Sequence, residues 1–363
     1  MKAFGMINPG ELGFFDAPKP ILEPRSAICN PIIVSPCTSD VHNVFHKASP
    51  TKRPPNWIFG HECVAKVVEV GSEVKDFAPG DIVAVSSMTP DWRTRGVQEG
   101  NITHPTGPFS GMKLAKTRPG VFCQYIIIDD ADTTLAKVPE GVSLDAALMC
   151  ADMVNTGFTG VKKSGMEFGD SVCVIGIGPV GLMAIAGAAH HGAGRIFAVG
   201  HRTNCAKLAK EYGANDVIDY TKTDYVKEVL DKTNGVGVDV TIIAGGNVDT
   251  IRQALEITKY GVGTVVNICY LFGDKPIEIP VPSFARGLGG KTIRTEHCEG
   301  GRVCTERLLD LVKYGRLDPT KLITHRYYGF DKIPDALYAM RDKPDDLIKT
   351  AVYIDWDKEM KQE

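Results

Sequence analysis

The chain has 363 residues, of which 43% are apolar and 23% are charged, and its formal net charge is -3. This length predicts about two domains, and the lack of a basic excess argues against a nucleic-acid partner. No apolar run approaches the roughly 18 residues of a membrane span. No signal peptide is evident, and ten scattered cysteines are typical of reduced thiols. We therefore expect a soluble, cytoplasmic protein with no membrane partner.

Short strands and turns are predicted throughout residues 1–155. Apolar runs bounded by turn residues predict strands at 27–34, 63–70, 82–85 and 123–129. A polar segment rich in Gly and Pro, from Met88 to Pro119, predicts a long loop or short irregular elements. Loops of this length are uncommon unless they are functional, so we expect the segment to line a pocket or an interface.

Strands and helices alternate from residue 156 onward. The predicted strands are 172–175, 195–199, 216–220, 238–244, 263–269 and 292–294, and the predicted helices are 182–189, 204–212, 224–233 and 249–260. This alternation predicts an α/β domain at 156–297 with a doubly wound, parallel, six-stranded sheet. Residues 298–363 are too few to fold alone, so we expect their helices (304–315 and 333–340) and strand (351–354) to pack on the first domain.

A glycine-rich turn joins the first strand of this α/β domain to its first helix. Residues 171–181 read Ser-Val-Cys-Val-Ile-Gly-Ile-Gly-Pro-Val-Gly, which is the G-x-G-x-x-G pattern of dinucleotide-binding sheets in its expected context. The first glycine permits the tight turn, the second lets the backbone approach a pyrophosphate, and the third allows close packing of helix on strand. The residues predicted to bind the cofactor here are Gly176, Gly178, Pro179, Val180 and Gly181.

The end of the next strand indicates which dinucleotide is bound. An acidic residue at this position binds the ribose 2′-OH of NAD, whereas a basic residue accommodates the 2′-phosphate of NADP. Here the sequence continues Gly200-His201-Arg202, with no acidic residue between Gly194 and Lys210. We expect Gly200 to leave space for a phosphate, Arg202 to bind it with its forked donors, and Tyr220 to cover it. NADP is therefore predicted.

Three distant residues are candidate metal ligands. Cys37, His61 and Asp152 offer a thiolate, an imidazole and a carboxylate, the donors that a catalytic zinc takes in groups of three. Each also has a structural explanation: a buried cysteine is a small hydrophobe, a histidine is often only hydrogen-bonded, and the aspartate could cap a helix. Their spacing does not decide between a metal site and these structural explanations, because the three residues are too far apart in the sequence to form a zinc finger.

Longer motifs around these residues identify a family. Cys37 to His42 reads C-x-S-D-x-H, and Gly60-His61-Glu62 begins a pattern that continues to Gly71 and Val74, with Ala65 replacing one of its glycines. With these motifs and the run Thr89 to Thr94, the chain resembles zinc-containing medium-chain alcohol dehydrogenases over its whole length. It is most similar to the microbial NADP-dependent secondary-alcohol branch. The resemblance implies that residues 1–155 form a mainly β, GroES-like catalytic domain beside the Rossmann domain.

The resemblance also implies roles at the metal site. Cys37, His61 and Asp152 would bind one catalytic zinc, with Glu62 as a conditional ligand and Asp40 accepting a hydrogen bond from His61. Cys150 is a rival for the third ligand, although it is out of register with the family motif. No structural zinc is expected, because the segment from Met88 to Pro119 lacks the four closely spaced cysteines that this second site needs.

The implied reaction is hydride transfer between a small secondary alcohol and NADP, giving a ketone. Ser39 would take the alcohol proton and His42 would pass it towards solvent. The implied pocket residues are Ser87, Met88, Met112 and Tyr270. Close relatives carry a tryptophan where this chain has Met112, which predicts tolerance of bulkier ketones.

Two alternative functions stay open, one from the same superfamily and one from a different class of protein. The alternatives are a zinc-free NADPH quinone reductase of the same superfamily and a non-catalytic NADPH-binding protein. The branch is usually tetrameric, so a homotetramer is expected.

Overall fold

The computed structural model describes residues 1–8, 10–45, 53–271 and 276–360. The chain divides into two compact units, one formed by residues 1–155 and 299–363 and the other by residues 156–298. Within the described residues, no helix combines the length and the apolar character needed to cross a membrane.

The strands lie, in chain order, at β1 (Lys2–Asn8), β2 (Glu11–Asp16), β3 (Ala27–Val34), β4 (Trp57–Ile58), β5 (Cys63–Val70), β6 (Ile82–Val85), β7 (Ile126–Ile128), β8 (Leu135–Lys137), β9 (Ser171–Ile175), β10 (Arg195–Val199), β11 (Asp216–Ile218), β12 (Val240–Ile243), β13 (Thr264–Asn267), β14 (Thr292–Thr295), β15 (Ile323–Tyr328) and β16 (Lys349–Tyr353).

The α-helices are α1 (Thr38–Phe45), α2 (Arg95–Gln98), α3 (Ala131–Thr134), α4 (Leu144–Ala151), α5 (Met153–Ser164), α6 (Pro179–His190), α7 (Thr203–Glu211), α8 (Tyr225–Lys232), α9 (Val248–Ile257), α10 (Arg302–Lys313), α11 (Ile333–Asp342) and α12 (Trp356–Glu359). Short 3₁₀ helices lie at Pro282–Gly287, Pro319–Leu322 and Phe330–Lys332.

The first unit is mainly β. Its larger sheet has the order β15-β16-β3-β5-β6-β8, with β7 also paired to β3, and a three-stranded sheet has the order β2-β1-β4. Strand β16, from the C-terminal segment, pairs with β3. The core between these elements contains large, fully buried aromatic side chains, including Phe4, Phe59 and Phe122.

The second unit confirms the predicted parallel, six-stranded sheet. Its order is β11-β10-β9-β12-β13-β14, and every neighbouring pair is parallel. The side chains of the central strand β9 are buried from Val172 to Ile175. Burial of both faces explains why this strand is a continuous apolar run rather than an alternating one.

Several predicted elements are shorter than expected. The strand predicted to reach Tyr220 ends at Ile218, because the Asp219 carboxylate accepts hydrogen bonds from the backbone and hydroxyl of Thr221 and forms a turn. The helix predicted to reach Tyr260 ends at Ile257, where Thr258 is extended. Of the strand predicted at 123–129, only Ile126–Ile128 forms, and the predicted loop from Met88 to Pro119 contains the one-turn helix α2.

Candidate metal centre and nucleotide-binding turn

Four side chains from three separate parts of the chain meet in the first unit. One ligand atom from each of Cys37, His61, Glu62 and Asp152 lies within 4.8 Å of all the others. Nε2 of His61 is 3.5 Å from a carboxylate oxygen of Asp152 and 3.9 Å from one of Glu62. Cys150, the rival for the third ligand, is fully buried in α4 and is outside this group.

Pairing of β3 with β5 brings the first two segments together. The strands are antiparallel, with Val34 opposite Cys63, so the residues after β3 and those before β5 lie at the same end of the sheet. The backbone N–H of Ser35 donates to the carbonyl of Glu62 at this end. Gly60 has φ +89°, and a Cβ there would lie 2.6 Å from the ring of Phe122, so only glycine fits.

Asp40 connects the two segments behind His61. Its carboxylate accepts hydrogen bonds from the backbone N–H of Cys37 (2.9 Å) and of Gly60 (3.3 Å), and it is 3.4 Å from Nδ1 of His61. Burial lowers the pKa of His61, but the charge of Asp40 and hydrogen bonds with Asp152, Asp40 and Cys37 raise it well above its ordinary value. An imidazole must be neutral to bind a metal, so a cation would replace this proton.

Glu62 forms a buried ion pair that the sequence did not predict. Nζ of Lys349 donates to Oε1 of Glu62 (2.7 Å) and to the carbonyl of Pro36 (3.2 Å), and the two charged side chains are 1% and 0% exposed. Burial lowers the pKa of Lys349, but the negative charges of Glu62, Cys37 and Asp152 and the hydrogen bond with Glu62 together raise it above its ordinary value. The available signal was a lysine within the apolar run from Leu347 to Val352, which is typical of a buried strand.

The donor set fits a divalent cation of borderline softness. A thiolate, an imidazole and a carboxylate are the ligands that zinc takes in catalytic sites. The second oxygen of Glu62, Oε2, is buried and has no hydrogen-bond partner within the described part of the chain. Such an orphaned oxygen is costly unless a proton or a cation satisfies it. We therefore regard the group as suited to zinc, with Glu62 as an additional donor.

The proton-relay candidates lie on α1, which starts directly after Cys37. Ser39 and His42 are three residues apart on this helix, so their side chains share one face. Both are partly exposed.

The predicted pocket residues differ in burial and in the unit to which they belong. The Ser87 hydroxyl is 3.4 Å from Oδ1 of Asp152, at the metal group, and Met112 is half-buried. Met88 has no exposed surface, and its side chain lies where Cβ atoms added to Gly111 or Gly300 would be. Tyr270 belongs to the second unit and is 45% exposed.

The predicted glycine turn occupies the carboxyl end of β9 in the second unit. Gly176 has φ +89°, and Gly178 is the N-cap of α6, which begins with Pro179 and Val180. A Cβ on Gly181 would lie 1.8 Å from the carbonyl oxygen of Gly176, so helix and turn touch there. The free N–H groups at the start of α6 can bind an anion, as in the G-x-G-x-x-G turns of dinucleotide-binding proteins.

Arg202 lies close to this turn. A Cβ atom added to Gly178, the N-cap of α6, would lie 4.0 Å from Nη2 of Arg202. The guanidinium is therefore close to the N-terminus of this helix. The rings of His201 and Tyr220 meet edge to face, 5.1 Å apart. The side chain of Ile177 occupies the position that a Cβ on Gly200 would take, so packing within the protein favours glycine there.

Two protein-family profiles match the chain, each lying mainly in one unit of the fold. The family profile described as an alcohol dehydrogenase GroES-like domain matches residues 25–140, and the one described as a zinc-binding dehydrogenase matches residues 179–313. The chain belongs to the zinc-binding alcohol dehydrogenase family. Both halves of the fold, the GroES-like unit and the parallel six-stranded sheet, are those of this family.

Relatives of this dehydrogenase match nearly its whole length. It is 47% identical to the NADP-dependent isopropanol dehydrogenase of Thermoanaerobacter brockii and 46% identical to that of Clostridium beijerinckii, over 98% of this chain and 100% of theirs. Among solved structures, it is similar to zinc dependent alcohol dehydrogenase 2 from Streptococcus pneumonia, with a TM-score of 0.86 and 29% identity. That match covers 98% of this chain and 99% of the other. It is also similar to the alcohol dehydrogenase TADH from Thermus sp. ATN1 (TM-score 0.84, 25% identity, 98% and 100% covered).

Proposed function

We propose that this dehydrogenase interconverts small secondary alcohols and ketones, of which propan-2-ol and acetone are the type, with NADP(H). The observation that carries the proposal is the convergence of Cys37, His61 and Asp152 in a chain 47% identical to an NADP-dependent isopropanol dehydrogenase. Neither alternative accounts for this group, since a zinc-free quinone reductase and a purely structural NADPH-binding protein would need no metal ligands.

Cys37, His61 and Asp152 would hold one zinc ion, and Glu62 would approach it as a conditional ligand. Bound zinc acts as a Lewis acid that stabilises negative charge on the alcohol or carbonyl oxygen. Asp40 would fix the ring of His61 and strengthen it as a donor. We propose no structural zinc, because residues 88–119 contain no cysteine.

Ser39 would take the proton released by the alcohol, and His42 would transfer it towards solvent. Both are partly exposed and lie on one face of a helix that begins next to Cys37. A hydroxyl and an imidazole in succession are suited to proton transfer near neutral pH. Replacing Ser39 with Ala should reduce kcat strongly while the zinc content stays unchanged.

NADP would bind at the glycine turn of the second unit and would accept or supply the hydride. The pyrophosphate would lie over the N-terminus of α6, and Arg202 would bind the 2′-phosphate with its planar donors. Tyr220 and His201 would flank the same phosphate. The absence of an acidic residue between 194 and 210 removes the repulsion that a carboxylate would impose.

We also propose a cytoplasmic homotetramer. Side chains on the second unit leave apolar surface exposed around residues 277–288, as expected of a region that another copy covers. The exposed members are Ile277, Ile279, Val281 and Leu288.

The deciding experiment is NADPH oxidation with acetone, butan-2-one and acetaldehyde, before and after removal of metal by a chelator. We expect the ketones to be preferred and turnover to be lost on chelation and restored by zinc. Turnover that survives complete metal removal would favour the quinone reductase, and no turnover with any carbonyl would favour the non-catalytic protein. Because Met112 is smaller than tryptophan, butan-2-one should have a higher kcat/KM than acetone.

A further inference from the structure

Two cationic residues, Arg53 and Lys116, are in contact in the first unit. Nη1 of Arg53 donates a hydrogen bond of 2.8 Å to the backbone carbonyl of Lys116, and both side chains are half-buried. The guanidinium lies 5.0 Å from the ring of Trp57. The ammonium lies 4.2 Å from the ring of Phe109 and 3.7 Å from the sulfur of Met112.

Neither cation is paired with a carboxylate among residues 1–8, 10–45, 53–271 and 276–360. Nε of Arg53 is buried without a hydrogen-bond partner in these residues. Burial and the nearby charge of Arg53 lower the pKa of Lys116 to about 8. Lys113, only three residues earlier, shows the usual arrangement, since its ammonium is 2.9 Å from Asp129.

Two like charges that are partly desolvated and close together are unfavourable unless something compensates them. The aromatic faces of Trp57 and Phe109 compensate in part, because the ring quadrupole attracts a cation. These rings leave the N–H donors without acceptors, and a buried donor without an acceptor keeps its desolvation cost. An oxyanion would supply both the missing charge and the missing acceptors.

We propose that Arg53 and Lys116 form a binding site for one small oxyanion. The planar guanidinium offers Nε and Nη2 as a fork, which matches two oxygens of a carboxylate or a phosphate, and Lys116 adds a point charge. The two sources of such a group are the carboxylate of an oxo acid substrate and free inorganic phosphate.

The first of these sources, the carboxylate of a substrate, rests on the proposed function. Lys116 contacts Met112, which that proposal assigns to the pocket for the carbonyl substrate. A ketone carrying a carboxylate, such as 4-oxopentanoate, would then be a better substrate than its neutral analogue pentan-2-one.

The key variant is Lys116→Met. It removes the ammonium but retains the hydrogen bond from Arg53, because that bond ends on the backbone carbonyl of residue 116. Lys116→Arg keeps the charge, and Lys75→Met is the matched control, since Lys75 is an exposed lysine of the same unit. Arg53→Met tests the second cation independently.

Binding is measured by calorimetric titration of the zinc-loaded, NADP-saturated protein with inorganic phosphate at a pH well below 8. Saturation with NADP fills the nucleotide site, so that phosphate binding there does not interfere. We expect Lys116→Met and Arg53→Met to weaken binding at least about tenfold, as loss of a charge-assisted hydrogen bond implies. Lys116→Arg and Lys75→Met should bind like the wild type.

Kinetics distinguish the two sources. If the substrate carboxylate is the ligand, the ratio of kcat/KM for 4-oxopentanoate to that for pentan-2-one falls about tenfold in Lys116→Met. If free phosphate is the ligand, the titration shows the loss while this ratio stays constant. The proposal is overturned if wild type and Lys116→Met bind phosphate equally and show the same ratio. Inactivity of the wild type on every ketone would contradict the proposed function instead, and the titration would still decide the oxyanion site.

Discussion

Nζ of Lys349 donates a 2.7 Å hydrogen bond to Oε1 of Glu62, which is 287 residues away in the chain, and both side chains are buried. Strand β16, paired with β3, places the lysine beside the metal group. The ion pair neutralises one of the carboxylates there and leaves Oε2 of Glu62 as the orphaned oxygen. Lys349 therefore positions a carboxylate that lies beside the candidate metal ligands.

Replacing Lys349 with Met should destabilise the protein strongly. The change leaves Glu62 buried with no counter-charge, and breaking a buried pair from one side costs about 3–5 kcal/mol. Unfolding by denaturant, followed by circular dichroism, measures the change in free energy. Lys358→Met, which removes an exposed partner of Asp355, is the control and should have little effect. A small loss in Lys349→Met would show that the pair is dispensable.

Replacing Asp40 with Asn should weaken metal binding without removing a ligand. The carboxylate supports His61 and the backbone at Cys37 and Gly60, and loss of such a supporting group typically reduces metal affinity about 10–100-fold. Competition with a chromophoric chelator measures the affinity for zinc. Asp145→Asn, in an ion pair with Arg326 at the first turn of α4, should leave it unchanged. Equal zinc affinity in wild type and Asp40→Asn would contradict this role.

Replacing Arg202 with Leu should reduce the preference for NADP. If the guanidinium binds the 2′-phosphate, its loss should lower kcat/KM for NADPH about 10–100-fold and affect NADH much less. The ratio of the two kcat/KM values, measured with acetone, is the readout. Lys207→Leu, an exposed change on α7, is the control. An unchanged ratio in Arg202→Leu would place the phosphate elsewhere.

Asp239 should make the second unit sensitive to acid. Burial raises the pKa of its carboxyl, but hydrogen bonds from Lys259 (2.5 Å) and from Ser171 (2.6 Å from its hydroxyl, 2.9 Å from its N–H) lower it overall, below the ordinary 3.8. Since the folded-state pKa is the lower one, the stabilisation is complete above the unfolded value and disappears as pH falls through the folded value.

Asp239→Asn should therefore cost about 1–3 kcal/mol at pH 7. The difference from the wild type should shrink below a pH of about 4, where the carboxylate of the unfolded chain becomes protonated. Unfolding free energies measured from pH 7 to pH 3 test this. Asp231→Asn, from an exposed pair with Lys227, should show almost no difference at any pH. A constant gap between Asp239→Asn and the wild type across this range would contradict the linkage.

Local sequence determined most of the second unit. Continuous apolar runs of strand length, such as 195–199, were sufficient to predict the parallel sheet. The glycines of 171–181 were sufficient to predict a turn of the nucleotide-binding type. Both patterns act through backbone conformation and burial within a few residues. The ends of elements were less predictable where a side chain ended a strand, as Asp219 does after β11.

The tertiary structure decided which side chains meet at the candidate metal site. Cys37, His61 and Asp152 were candidates from their motifs, but no local pattern relates Lys349 to Glu62 or Arg53 to Lys116, because these residues meet only through strand pairing and loop packing. Electrostatic energy depends on distance in space and on burial, and neither quantity is fixed by separation along the chain.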